Sequence, residues 1–154
     1  MQIIDYGRMV DFMMELKDKI IKVAEENGWS VYIEYETEDN ICFDFGKYSP
    51  AGQDFHVSAE LEDMEIDTLM DNLNSRYVDF DCSEETYLWL DSTGHGTNGA
   101  PYDMKDLYED MEACQEMIME LYRAFESAEE FIECEWINGF KVGGKNEQLW
   151  IITD

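Results

Sequence analysis

Val31-Tyr32-Ile33-Glu34-Tyr35-Glu36, Ile41-Cys42-Phe43-Asp44-Phe45 and Phe55-His56-Val57-Ser58-Ala59-Glu60-Leu61 are three runs in which apolar and polar side chains alternate. Successive side chains of a strand point to opposite faces, so each run reads as a half-buried β-strand. In the first, Val31, Ile33 and Tyr35 face one way, and Tyr32, Glu34 and Glu36 the other. In the second, Ile41, Phe43 and Phe45 oppose Cys42 and Asp44. In the third, Phe55, Val57, Ala59 and Leu61 oppose His56, Ser58 and Glu60. The links are short: Thr37-Glu38-Asp39-Asn40 is a turn, and Gly46 to Gln53, with Pro50 and Gly52, is a loop. Three strands so connected form an antiparallel meander with one face on helices and the other in water.

Working outward, residues 6–27 carry Met9, Val10, Met13, Leu16, Ile20 and Val23 at steps of three and four, with Phe12 widening the stripe. That spacing predicts a helix, stopped at Asn27-Gly28. A second helix is expected over about 64–78, on Ile66, Leu69, Met70, Leu73 and Tyr77. Asp81 with Glu84 three residues on reads as a capping box, while Tyr87-Leu88-Trp89-Leu90 suits either a helix or a strand. From about 103, Met104, Leu107, Met111, Cys114, Ile118, Leu121, Phe125 and Ala128 predict a long helix seated on the sheet or another helix, or lining a homodimer seam. Asn138-Gly139 and Gly143-Gly144 signal a C-terminal hairpin. The expected fold is α+β: a three-stranded antiparallel sheet packed by an N-terminal helix and a long later helix. Residues 1–135 make one domain, with the hairpin of 136–154 appended.

Charge dominates the composition. The 154 residues hold 37 Asp and Glu against 10 Lys and Arg, a formal net charge of -27. Residues 30–135 account for most of it, with 29 acids against Lys47, Arg76, Lys105 and Arg123. Such a surface repels nucleic acid and anionic membrane. No run approaches the apolar length of a membrane span, and Met1-Gln2-Ile3-Ile4-Asp5 is no signal-peptide start. Four dispersed cysteines, Cys42, Cys82, Cys114 and Cys134, read as reduced thiols, so a cytoplasmic protein is expected.

Several motifs fail on inspection. Gly94-His95-Gly96-Thr97-Asn98-Gly99 matches a dinucleotide fingerprint literally. It lacks the parallel βαβ context, however, and Asp91 and Asp103 flank it with charge that repels phosphate. Aligned as a calcium loop, it places Tyr102 where a bidentate Glu is required. The two histidines, His56 and His95, have no ligand at helical spacing, so no zinc site is read. No catalytic, cofactor or metal residue is assigned.

The arrangement of acids is what remains. Glu34, Glu36, Asp44 and Glu60 fall on the wet face of the sheet, and Asp106, Glu109, Asp110, Glu112, Glu116 and Glu120 recur at three and four on the long helix. An i,i+2 strand step spans roughly 6.6–6.8 Å and an i,i+4 helix step about 6 Å, both close to successive phosphates of a nucleic-acid strand. Like charges at i,i+4 weaken a helix by roughly 0.2–0.5 kcal/mol per pair, a penalty that invites a positive partner. The net charge matches about 46 Å of duplex at one charge per 1.7 Å. These features predict a noncatalytic decoy whose carboxylates fill a basic nucleic-acid channel, with the loop of His95 and Asn98 as a secondary contact. The partner would be a basic nucleic-acid-binding protein rather than nucleic acid or membrane, and the decoy itself a monomer or homodimer. A solvated acidic surface and salt adaptation give similar compositions, although eight Phe, nine Tyr and four Trp are many for the latter. An alternative is an interaction module using the aromatic tail, Trp136, Phe140 and Trp150.

Two stretches carry a resemblance: Phe45-Gly46-Lys47-Tyr48-Ser49-Pro50-Ala51-Gly52-Gln53-Asp54-Phe55, and Asp79-Phe80-Asp81 leading through Trp89 to Asn98-Gly99-Ala100-Pro101. Over roughly residues 40–125 the chain resembles a family of small acidic proteins carried on phages and conjugative elements of gut bacteria. The resemblance implies a context of countering host defence, as an inhibitor of a restriction enzyme or a CRISPR effector. It carries no functional residues over.

Overall fold

The structure, a computed structural model, describes residues 15–137, 140–143 and 150–151. Helix α1 (Leu16–Glu26) leads into strands β1 (Ser30–Glu36), β2 (Ile41–Tyr48) and β3 (Asp54–Leu61). Next come helices α2 (Ile66–Asp79), α3 (Cys82–Leu88), α4 (Met104–Ser127) and α5 (Glu129–Glu133), then strands β4 (Cys134–Ile137), β5 (Phe140–Gly143) and β6 (Trp150–Ile151). The expected start of the first helix, including Met9, Val10, Phe12 and Met13, lies outside the described residues. So do the turns of the expected hairpin and the side chains of Trp136, Phe140 and Trp150. Among the described residues no helix is long and apolar enough to cross a membrane.

The fold is α+β. The sheet runs β1-β2-β3, antiparallel throughout. β2 is central, and its inward Ile41, Phe43 and Phe45 are fully buried. Phe43 stacks on Phe45 at 5.6 Å, and Phe45 meets Phe125 of α4 at 5.9 Å, joining sheet and long helix through aromatic contact. Around this seam pack Ile20 and Val23 of α1, Leu69 and Leu73 of α2, and Ile118 and Leu121 of α4.

The first strand departs from simple alternation. The register shifts between Ile33 and Tyr35, a β-bulge, so that Tyr35 pairs with Cys42 and Glu36 with Ile41. A bulge inserts one residue and reverses the facing of the residues after it. Tyr35 therefore joins Cys42 and Glu60 on the outer face instead of the core. Glu36 turns to the helix side, where Lys17 of α1 donates to it at 2.9 Å.

The free edge of β3 is closed by α2. The Glu62 N–H donates to Thr68 at 2.8 Å, the Glu60 N–H to Asn72 at 3.3 Å, and Arg76 donates to the Ser58 carbonyl at 3.0 Å. The match is geometric: one i,i+4 helix step of about 6 Å nearly equals two strand residues. Three backbone groups that the β3 edge would otherwise offer to another chain are thus satisfied internally.

Residues 82–88 are helical. The Asp81 carboxylate accepts from the Ser83 and Glu84 amides at 3.0 and 3.1 Å, which starts α3 as a side-chain cap does. Gln115 of α4 then ties the elements together, donating to the carbonyls of Tyr77 and Phe80 at the end of α2.

Candidate partner-binding surface

The ten acids picked out from the sequence do not form one surface. The outer sheet face keeps Glu34, Asp44 and Glu60 and loses Glu36 to the bulge. On α4 the buried face is set by Leu107, Cys114, Leu121 and Phe125, of which Leu121 and Phe125 join the core beneath the sheet. Glu109, Glu112, Glu116 and Glu120 fall about half a turn away at 100° per residue, on the side opposite the sheet. The two clusters therefore point in opposite directions, and a single groove cannot contact both.

Asp110 corrects the expectation most sharply. It is only 5% exposed. Its carboxylate accepts from the Ser49 hydroxyl at 2.5 Å, the Ala51 amide at 3.0 Å and the Gln53 side-chain amide at 2.5 Å. Ser49 also accepts from the Gln53 N–H at 2.9 Å, so the β2–β3 loop is knotted onto α4 through one carboxylate. A buried charge is tolerated when several donors converge on it. The signal lies in the sequence: Asp110 sits three residues after Leu107 and four before Cys114, inside the apolar stripe. Asp110 is a structural residue and leaves the partner-binding set.

On the sheet face the acids are already engaged. Glu34 accepts from the Ser58 hydroxyl at 3.0 Å and from the Cys42 thiol at 3.4 Å. Burial, then the hydrogen bond to Glu34, pushes the Cys42 pKa up to about 11, so its thiolate is scarce at neutral pH. Glu60 beside the Tyr35 hydroxyl, together with burial, lifts the tyrosine's pKa to about 12. His56 lies across Gly46, where a Cβ would come within 2.7 Å of the ring, and bridges Asp44 at 3.1 Å and Asp54 at 3.0 Å. Partial burial opposes its charge, but the hydrogen bonds and charges of Asp44 and Asp54 win, and its pKa is raised.

A raised folded pKa contributes stability that is complete below the unfolded value of about 6.5 and is lost as pH rises through the folded value. Replacing His56 by alanine is therefore expected to lower the melting temperature slightly at pH 5.5 and to leave it unchanged well above the folded pKa. The effect is small because the ring is half exposed. Equal losses at both ends, measured by thermal melts across pH, would remove the bridge as their cause.

The α4 ridge is different. Glu109, Glu112, Glu116 and Glu120 are exposed. From Glu109 to Glu120 the helix advances eleven residue steps, roughly 16 Å. Glu116 accepts from the Tyr77 hydroxyl at 3.2 Å. Asp106 is also exposed, at the ridge's N-terminal flank. Five other bases are engaged away from it: Lys17 with Glu36, Lys22 with Glu26, and Lys19, Lys47 and Arg76 with the backbone carbonyls of Ile132, Asn27 and Ser58. Lys47 also lies over the Trp29 ring. Among the described residues no ion pair reaches the ridge. Lys105 and Arg123 stand at its two ends.

The glycine-rich loop is closed on itself. Gly96 donates to the Tyr102 carbonyl at 3.0 Å, Gly94 to Asp91 at 3.1 Å and Thr97 to Trp89 at 2.9 Å, so these amides are spent. A Cβ at Gly96 would overlap the Pro101 carbonyl, which explains the glycine. His95 stacks on Tyr102 at 4.1 Å, and its Nδ1 meets the Thr93 hydroxyl. Asn98 is exposed in a left-handed conformation, φ 54°.

An apolar surface beside the ridge escapes the sequence reading. Met104, placed by periodicity in the buried stripe, is 55% exposed, and Tyr87, Leu88, Tyr102 and Tyr108 are exposed with it. The helix starts before the core does, so its first residue overhangs. Among the described residues no three His, Cys, Asp or Glu side chains converge as metal ligands. Comparison with protein-family models, curated proteins and solved structures yields no match.

Proposed function

We propose that this protein is a noncatalytic acidic inhibitor that occupies the basic nucleic-acid channel of a bacterial defence nuclease, a restriction enzyme or CRISPR effector. The ridge on α4 is its main contact. The observation that carries the reading is the line Glu109, Glu112, Glu116 and Glu120, four exposed carboxylates that no ion pair among the described residues reaches, with Lys105 and Arg123 as the bases at its two ends. Four carboxylates against two terminal bases keep a negative potential for an incoming cation, at a standing cost to the helix. The resemblance to acidic proteins of mobile elements favours a defence nuclease over other basic partners. His95 and Asn98 sit on a separate loop and serve at most as a secondary contact. The alternative, binding through the aromatic tail, rests on side chains outside the described residues.

The test is competition. The protein is expected to displace duplex DNA from its target among a panel of bacterial restriction enzymes and CRISPR effectors, less so as salt rises. Reversing Glu112, Glu116 and Glu120 to Lys together is expected to weaken displacement by about a hundredfold or more, since close interfacial charge pairs couple by roughly 1.5 kcal/mol or more each. The three positions are exposed, so circular dichroism should be unchanged. Full inhibition by the folded triple variant would eliminate the ridge as the contact.

A further inference from the structure

We infer that the cleft between α3 and α4 receives about two turns of a cationic amphipathic helix of the partner protein, apolar side chains inward and Lys or Arg against the carboxylates of α4. This rests on the inhibitor reading above and names the element of the partner that would be gripped. The cleft encloses about 540 Å³. Tyr87 and Leu90 from the α3 side and Met104 and Tyr108 from α4 form its floor, with Glu109 and Glu112 on the rim. The floor is uncovered: Tyr87 is 77% exposed, and Met104 and Tyr108 are exposed as well.

Charge selects the occupant. Glu109 and Glu112 of α4 line the cleft, and Asp81 and Glu85 lie near Glu112 behind it, as the Cys82 thiol registers: burial first, then the charges of Glu112, Asp81 and Glu85, raise its pKa. Glu85 itself is pushed up by burial and by the adjacent Glu84 and Asp81. Against these stands one lining base, Lys105. A neutral or acidic apolar segment would leave this repulsion in place, and a cationic one relieves it. Length selects the conformation. Met104 to Glu112 is eight residue steps, about 12 Å or two helical turns. A helix offers apolar side chains at i, i+3 and i+4 with cations flanking them, which matches an apolar floor under an acidic rim.

The probe is a fluorescent Leu/Lys peptide patterned as an amphipathic helix, read by polarisation against a scrambled peptide of equal composition and against poly-lysine. The patterned peptide is expected to bind about tenfold or more tighter than the scrambled one, since buried apolar anchors dominate such contacts. Tyr87→Asp combined with Met104→Asp, both at exposed positions, is expected to abolish that advantage while poly-lysine still binds. Equal binding of patterned and scrambled peptides, or an unaffected double variant, overturns the proposal. So does self-association in sedimentation that the double variant disrupts, because the occupant would then be a second copy of this chain. No nuclease enters this assay, so its failure is separate from a failure of the DNA competition.

Discussion

Replacing Asp110 by alanine is expected to destabilise the protein by about 2–4 kcal/mol, since buried donors left without an acceptor cost roughly 1–3 kcal/mol each and the loop can partly rehydrate. The donors are the Ser49 hydroxyl, the Ala51 amide and the Gln53 side chain. Asp110→Asn keeps one oxygen acceptor and should lose less. Urea unfolding gives the size of the effect, and amide exchange gives its place: protection should fall first at Ala51 and in the Ser49–Gln53 loop. Asp106→Ala is the control, at an exposed position of the same helix where substitutions usually stay within about 0.5 kcal/mol. If the two alanine variants unfold alike, Asp110 is not holding the loop.

A larger loss, about 3–5 kcal/mol, is expected from Phe45→Ala. Phe45 is fully buried between Phe43 and Phe125, so its ring is the contact between the central strand and the long helix. Against a typical total of about 5–15 kcal/mol, the variant should be marginal at physiological temperature. Phe45→Leu retains most of the volume and should recover much of the loss. A midpoint shift worth less than about 1 kcal/mol would mean that sheet and helix are joined elsewhere.

The candidate ridge is legible in the sequence because its signal is local. Glu112, Glu116 and Glu120 differ by four, and a helix places such residues on one side whatever surrounds it. Asp110 is misread when the acids are considered apart from the apolar stripe they interrupt. Glu36 offers no such clue: only the bulge between Ile33 and Tyr35 turns it toward Lys17. The apolar cleft is also beyond reading, because Tyr87 and Met104 are exposed by how α3 meets α4, which neither periodicity encodes.

By itself the sequence determined the three-stranded antiparallel meander between helices, the inward Phe43 and Phe45, the long helix and the excess of negative charge, while leaving residues 87–90 open between helix and strand. Side-chain period and composition set these, and both act over a few residues. Tertiary structure alone decided which carboxylates remain available. Pairing register, close packing and the capture of Lys17, Lys19, Lys47 and Arg76 by a carbonyl, ring or acid depend on groups distant in the chain. They divided the acids into a bonded sheet network, a buried anchor at Asp110 and an open ridge on α4.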